Sequence, residues 1–200
     1  MNIAVYSGSF NPMHIGHLAI IRHLIEEAGF DMVYLIVSPK NPLKDGISAT
    51  TGQDRYNAAV ESVNRHFRFR GVIGASASEN RPIEKVRVDD IELNMPAPHY
   101  TVRTLNALKD REPENTFTFV MGADNLADIR RWREYASILK DFGVAVFPRT
   151  GHDLTLIKQD LLNEDPAYKI QILNAPMVNI SSTEIRNALS LGRDVSKYLI

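Results

Sequence analysis

Short apolar runs alternate with stretches of helical spacing along the chain, and this alternation restricts the fold more than any other feature. The apolar runs fall at residues 3–6, 32–37, 70–75, 116–121, 144–147 and 169–173. Helical spacing of apolar residues or capping signals mark the stretches between them, at residues 18–28, 53–63, 101–108 and 154–162. Strands that alternate with helices predict an α/β protein, a doubly wound, mainly parallel sheet with helices on both faces.

Two further predictions concern an irregular stretch of the chain and the starts of two helices. Residues 80–98 are charged and contain three prolines, which predicts an irregular stretch with an edge strand at residues 90–93. Thr51 and Thr101 stand where helices begin, and both are expected to act as N-caps.

Length and composition narrow the class of protein. Two hundred residues fit one domain, taken as residues 1–200, and a net charge of −1 argues against a nucleic-acid partner. The absence of cysteine excludes disulfides, thiolate nucleophiles and cysteine-bound zinc. The sequence shows no leader and no apolar run of membrane-spanning length, so a cytoplasmic protein without membrane association is expected. The oligomeric state is open, a homo-oligomer included.

The turn Gly8–His17 carries the first chemical signal. It joins the first apolar run to the first helix and contains two glycines, one proline, His14 and His17. The glycines let the backbone approach a ligand, and the start of a helix offers unpaired N–H groups to an anion. The two histidines, three residues apart, face the same side and are expected to gain a proton beside phosphate. An ordinary α/β crossover would leave both histidines unexplained, so phosphate binding is favoured.

Ser181–Arg186 carries the second signal. Ser181 and Glu184 form a capping box, which predicts a helix that begins here. An ordinary cap explains those two residues and leaves Ser182, Thr183 and Arg186 without a reason. Hydroxyls, free N–H groups and a guanidinium in the first turn of a helix are suited to a second anion.

Three further positions keep two interpretations each. Lys44 lies on a long loop after the second apolar run, either as a solvated lysine or as a phosphate ligand. Asp124 follows an apolar run and Gly122, either as a helix cap or as a ligand at the end of a parallel strand. Trp132 stands among charges, where packing is favoured over a flat surface for an aromatic ligand.

Two anion-binding helix termini that converge on one crevice indicate nucleotidyl transfer. In that reaction a phosphate oxygen of one substrate attacks the α-phosphorus of a nucleoside triphosphate, and pyrophosphate leaves. The chemistry requires in-line positioning and neutralised charge rather than a protein nucleophile. The histidines, lysine, arginine and N–H groups of the two motifs fit that requirement.

His14-Ile15-Gly16-His17 spells the HIGH signature of a nucleotidyltransferase superfamily. Together with Ser181–Arg186, the Gly122-Ala123-Asp124 segment ahead of Trp132 and the Tyr100-Thr101 pair, it makes the chain resemble nicotinate mononucleotide adenylyltransferase over essentially its whole length. Asn11 and Arg103 replace acids that the family usually carries.

The resemblance implies a Rossmann-like fold, ATP with Mg²⁺ and no metal ligands from the protein, nicotinate mononucleotide as second substrate, and deamido-NAD as product. It also implies a C-terminal part, about residues 180–200, packed on the nucleotide site. By similarity, catalysis falls to His14, His17 and Arg186; ATP binding to Gly8, Ser9, Phe10, Lys44, Ser182 and Thr183; and nicotinate mononucleotide binding to Asn11, Tyr100, Thr101, Asp124, Trp132 and Arg149.

Two alternatives remain open. A nicotinamide-preferring or dual-specificity version of the reaction would have the same motifs, because backbone N–H groups can bind a carboxylate without a side-chain signature. Pantetheine-phosphate and cytidylyl transferases share the first motif, and Trp132 after Gly122-Ala123-Asp124 argues against them. A nucleotide-binding module that has lost catalysis would be favoured by loss of His14 or His17, and both are present.

Overall fold

The fold is a single six-stranded parallel sheet with helices on both faces, as the alternating pattern predicts. The computed structural model describes residues 1–39, 51–67, 85–175, 177 and 180–200. The strands are β1 Asn2–Gly8, β2 Met32–Val37, β3 Val86–Asp89, β4 Thr116–Gly122, β5 Val144–Phe147 and β6 Ile170–Ile172. The helices are α1 Ile15–Glu26, α2 Gly52–Phe67, α3 Thr101–Arg111, α4 Ala123–Ala127, α5 Tyr135–Ser137, α6 Leu154–Glu164 and α7 Ser182–Ser190.

The strand order is β3-β2-β1-β4-β5-β6, and every neighbouring pair is parallel. This is the order of a Rossmann-type doubly wound sheet, in which ligands bind where the order reverses, beyond the carboxyl ends of the strands. The reversal lies between β1 and β4. The two ends that meet there are Gly8 and Gly122, and both belong to segments that the sequence singled out.

Alternation along β1 explains why helices cover both faces. Ala4 and Tyr6 point into one apolar layer, which they share with α1 and α2. Ile3 and Val5 point into the other, which they share with α3, α4 and α6. All four side chains are buried, and a strand buried on both faces has the continuous apolar run that marked it in the sequence.

The structure corrects the prediction for residues 80–98 in its described part. Residues 90–93 are not an edge strand, because Ile91–Leu93 forms a 3₁₀ turn, and the strand lies just before it as β3. Charged residues hid this strand. Asp89 is buried and accepts two hydrogen bonds from Arg111, at 2.7 and 3.1 Å, and the Arg87 guanidinium lies over the Tyr34 ring.

Of the two threonines that the sequence predicts as N-caps, Thr51 is confirmed and Thr101 is wrong. Thr51 Oγ1 accepts the Asp54 N–H at 3.1 Å, as an N-cap does. The N-cap of α3 is Tyr100 rather than Thr101, and α3 has no side-chain cap. Its first N–H groups are therefore left for another acceptor.

Two predicted features, the strand at residues 70–75 and Lys44, lie outside the described residues. Within the described part of the chain, no helix is both long enough and apolar enough to span a membrane.

Candidate active site

Two histidines cap α1 and also face the crevice. His14 is the N-cap residue, and its Nδ1 accepts the Gly16 N–H at 3.2 Å. His17 completes the capping box, because its Nδ1 accepts the His14 N–H at 3.1 Å. The ring centroids lie 3.8 Å apart. The three-residue spacing therefore serves the helix cap and pairs the two imidazoles in one place.

These contacts assign the tautomer of both rings. A nitrogen that accepts an N–H carries no proton, so each neutral imidazole keeps its proton on Nε2. Burial, with a smaller contribution from Arg149, lowers the pKa of His14 to about 4. Burial, then His14, then Arg149 hold the pKa of His17 well below its ordinary value.

In the ligand-free site both histidines are held in the neutral form, and the gain of a proton beside bound phosphate stays a prediction. A proton added at Nδ1 would break the capping box, and a second charge would face a neighbouring ring 3.8 Å away. Both imidazoles are therefore neutral at pH 7 and act as fixed Nε2–H donors. Such donors are preorganised for an oxyanion, because they need not reorient when charge develops.

The N-terminus of α7 meets this turn from the other end of the chain. Ser181 and Glu184 form the predicted capping box, in which the Ser181 N–H donates to the Glu184 carboxylate at 2.8 Å. The Ser182 hydroxyl donates to the Pro12 carbonyl at 3.0 Å. Arg186 donates to the Asn11 carbonyl at 2.6 Å. Of the residues that capping alone left unexplained, Ser182 and Arg186 thus join α7 to the turn Gly8–His17.

A cavity of about 410 Å³ opens between these two helix termini, a size typical of small-molecule sites. Most of the residues proposed from sequence line it: Gly8, Ser9, Phe10, His14, His17, Tyr100, Thr101, Asp124, Trp132, Arg149, Ser182, Thr183 and Arg186. Asn11 is not part of the lining and presents its carbonyl to Arg186.

Comparison of the sequence with known proteins identifies the family of this chain. The family model for Cytidylyltransferase-like proteins matches residues 5–188. Two relatives, from Flavobacterium psychrophilum and Flavobacterium johnsoniae, are 37% and 34% identical to this chain over 199 residues. In each case the match covers 100% of this chain and 92% of the relative, and both are named "Probable nicotinate-nucleotide adenylyltransferase". The chain belongs to this adenylyltransferase family.

A solved structure supports the fold of this family member. The Plasmodium falciparum nicotinic acid mononucleotide adenylyltransferase complexed with NaAD superposes with a TM-score of 0.75. The match covers 99% of this chain and 90% of the other, at 22% sequence identity. At that identity the likeness establishes the shared Rossmann-like fold.

Asp124 of this adenylyltransferase-family chain faces the cavity and is not a helix cap. The N-cap of α4 is Gly122, and Asp124 lies in its first turn. Gly122 has no room for a side chain, because a Cβ there would meet an Asp124 oxygen and the Phe147 ring at 3.2 Å. The Asp124 carboxylate, after β4, lies 3.9 Å from the Arg149 guanidinium, after β5, so a negative and a positive charge lie side by side at the ends of these two strands.

Trp132 both packs and lines the cavity, so the two interpretations of it combine. Its ring meets Phe119 edge to face, with centroids 5.9 Å apart. It is partly buried against the apolar layer of α3 and still lines the cavity. Tyr100 and Thr101 line the same region at the uncapped start of α3.

An aromatic floor lies beneath the histidines, and of its rings the sequence singles out Phe10 but not Tyr6 or Phe147. Phe10 is 3% exposed and lies edge to face against His17 and Tyr6, with centroids 5.0 and 5.6 Å apart. A Cβ at Gly8 would meet the Phe10 ring at 3.3 Å, so this glycine makes room for Phe10 as well as for a ligand. Phe147 packs on Tyr6 from the neighbouring strand. Nothing in the apolar strands separates these rings from ordinary core residues.

A pH series tests the assignment of His14. Because its pKa falls from 6.5 to about 4 on folding, below pH 6.5 the unfolded chain binds a proton that the folded chain does not. The resulting contribution of His14 to the free energy of unfolding is fully present above pH 6.5. It is lost as the pH falls toward 4, by up to about 3 kcal/mol. His14→Asn keeps an N-cap acceptor without the titration and is expected to flatten this loss. Urea unfolding at pH 7 and pH 4.5 measures it, and equal losses in both proteins would contradict the assignment.

Proposed function

We propose that this chain transfers the adenylyl group of ATP to nicotinate mononucleotide, with formation of deamido-NAD and release of pyrophosphate. The observation that carries the proposal is the meeting of the α1 and α7 N-termini at one cavity, joined by the Arg186–Asn11 contact of 2.6 Å. The names of the curated relatives and of the superposed structure support the choice of substrates. Residues 1–200 act as one nucleotidyltransferase domain, in which the part from about residue 180 completes the ATP side.

On the ATP side, the protein holds phosphates with donors that are already oriented. His14 and His17 offer their Nε2–H groups, and Arg186 offers a guanidinium anchored on Asn11 and on the Thr183 hydroxyl, 3.1 Å away. Gly8, Ser9, Phe10, Ser182 and Thr183 line the same space. Oriented donors around the α- and β-phosphates stabilise the charge that the transition state spreads over the phosphoryl oxygens.

The reaction balances without a covalent step on the protein. A 5′-phosphate oxygen of nicotinate mononucleotide forms a bond to the α-phosphorus of ATP, while the bond from that phosphorus to the bridging oxygen of the β-phosphate breaks. The electron pair leaves with pyrophosphate. The protein's part is to align the two phosphates and to neutralise the leaving charge, for which no nucleophile or general base is needed.

On the other side of the cavity, we place nicotinate mononucleotide. Trp132 offers a ring face, and the uncapped start of α3 at Tyr100 and Thr101 offers N–H groups and a positive dipole end to the nicotinate carboxylate. Asp124 is suited to ribose hydroxyls and Arg149 to a phosphate. Asn11 contributes through the turn that Arg186 holds rather than from the cavity wall.

Magnesium enters as part of the MgATP cosubstrate. Within the described ranges, no three histidine, aspartate or glutamate side chains converge as they would to hold a metal ion. Mg²⁺ is accordingly written as part of the cosubstrate, and no step is assigned to a metal ion held by the protein alone. The cytoplasmic location and a homo-oligomer stay predictions.

One observation favours a second candidate, the use of nicotinamide mononucleotide. Glu92 lines the cavity, is 3% exposed, and accepts the Thr104 hydroxyl at 2.8 Å on one oxygen. Its other oxygen has no hydrogen-bond partner in the described part of the chain. A buried carboxylate oxygen would accept an N–H from a carboxamide and would repel a nicotinate carboxylate.

Pyrophosphate release tests the proposal and separates the two candidates. With MgATP and nicotinate mononucleotide we expect steady release, with kcat/KM at least about tenfold above that for nicotinamide mononucleotide, because one charge-assisted contact is lost with the amide. Glu92→Gln is the matched variant. It is expected to change the ratio of the kcat/KM values for the two mononucleotides more than it changes the rate at saturating ATP. Equal kcat/KM values would remove the acid preference, and no release with either would favour a binding module.

A further inference from the structure

A buried arginine connects the loops that follow β1 and β2. Arg55 of α2 is 5% exposed. One of its terminal nitrogens donates to the Ser9 carbonyl at 2.8 Å and to the Ser38 carbonyl at 2.7 Å, and the other donates to the Pro39 carbonyl at 2.8 Å. A single side chain thus fixes the exits of two neighbouring strands at the ligand edge of the sheet.

The charge of Arg55 has no carboxylate partner within the described ranges. All three of its hydrogen-bond acceptors are neutral carbonyls, and burial alone lowers the pKa of its guanidinium from the ordinary value. A guanidinium nevertheless stays charged in a protein. A buried charge without a counter-ion is costly. An anion bound nearby would reduce that cost.

Ser9 links Arg55 to the phosphate side of the cavity. Ser9 lies between Gly8 and Phe10, and all three line the cavity. Because a trans peptide directs its C=O and N–H to opposite sides, the Ser9 carbonyl on Arg55 turns the Phe10 N–H away from the arginine. The Phe10 ring in turn contacts His17, with centroids 5.0 Å apart. A movement of the Ser9 peptide would therefore displace both a backbone donor and a histidine.

We propose that Arg55 is a positioning residue for ATP, which holds the Ser9 peptide beneath the triphosphate and supplies buried positive charge behind it. The inference rests on the proposed function, because ATP is the anion it invokes. Arg55 lies behind the turn rather than on the cavity wall and acts through Ser9 and Phe10.

Three variants test this role. Arg55→Met removes the charge and the three hydrogen bonds, Arg55→Lys keeps the charge but cannot span three carbonyls, and Arg65→Met removes an exposed arginine from the same helix. Calorimetric titration with MgATP gives the Kd, and initial rates give KM for each substrate and kcat.

For Arg55→Met we expect the Kd and KM for MgATP to rise at least about tenfold, because the free energy of a charge-assisted hydrogen bond corresponds to a change of that size. The KM for nicotinate mononucleotide is expected to stay within about threefold of the wild-type value. Arg55→Lys is expected to fall between that variant and the wild type, and Arg65→Met to match the wild type. If Arg55→Met does not fold, Arg55→Lys decides, with a rise of about threefold expected.

Two results would overturn the inference: an unchanged Kd for MgATP in the folded Arg55 variants, or equal rises of KM for both substrates. The binding measurement also keeps this test apart from that of the function. A wild-type protein that binds MgATP but releases no pyrophosphate contradicts the proposed function, whereas normal release with unchanged ATP binding in the variants contradicts only the role of Arg55.

Discussion

His17→Ala is expected to lower kcat at least about a hundredfold, because it removes an oriented donor that acts on the charge of the transition state. The Nε2–H of His17 is fixed by the contact of Nδ1 with the His14 N–H at 3.1 Å, so the donor needs no reorganisation during the reaction. KM for ATP is expected to change less than kcat, since the interaction strengthens as charge develops. Initial rates of pyrophosphate release under saturating substrates measure the effect.

The chain offers a matched control, since His17 also closes a capping box. Glutamine at this position is a normal capping-box residue and can accept the His14 N–H. His17→Gln should therefore keep the melting temperature of the wild type while it loses turnover nearly as far as the alanine variant. A near-normal kcat in either variant would contradict a role of His17 at the reacting phosphate.

Arg186→Met is expected to lower kcat/KM for ATP about a hundredfold, the effect of one strong charged contact of about 3 kcal/mol. The arginine both joins α7 to the Asn11 carbonyl at 2.6 Å and lines the cavity. Its loss therefore removes the proposed donor to the triphosphate and the link between the two ends of the chain. Both KM and kcat should change, and initial rates over a range of MgATP concentrations separate the two.

Arg193→Met is the control for this variant, because Arg193 is exposed in the turn after α7 and lies outside the cavity lining. It is expected to leave kcat/KM within about twofold, as surface substitutions usually do. An Arg186→Met protein with the kinetics of Arg193→Met would show that the guanidinium does not reach the substrate.

Much of the fold can be predicted because a strand that is buried on both faces of the sheet is a continuous apolar run in the sequence. β1, β2, β4 and β5 are recognisable from that property in the sequence, whereas β6 is an edge strand in which Gln171 and Ile172 are exposed. β3 is not recognisable in this way, because it carries Arg87 and Asp89, whose charges are paired with Glu112 and Arg111 at the end of α3. Tertiary pairing of this kind leaves no local pattern. The N-cap of α3 is Tyr100, one residue before the threonine that the sequence favours, and no side chain caps this helix.

The candidate site divides in a similar way. The two end motifs predict the cavity because capping and phosphate binding both require specific residues at the start of a helix. The neutral state of His14 could not be predicted, since it depends on burial and on Arg149, which arrives from the end of β5. Arg55 also escaped notice, because its acceptors are backbone carbonyls and any residue type supplies a carbonyl.

The most direct test is a crystal structure of the protein with a non-hydrolysable ATP analogue. One triphosphate should lie within hydrogen-bond distance of both His17 Nε2 and the Arg186 guanidinium, which come from opposite ends of the chain. A triphosphate that contacts only one of these two helix N-termini would contradict the shared site. In that result, the other N-terminus would lie farther from the phosphate oxygens than about twice the length of a hydrogen bond.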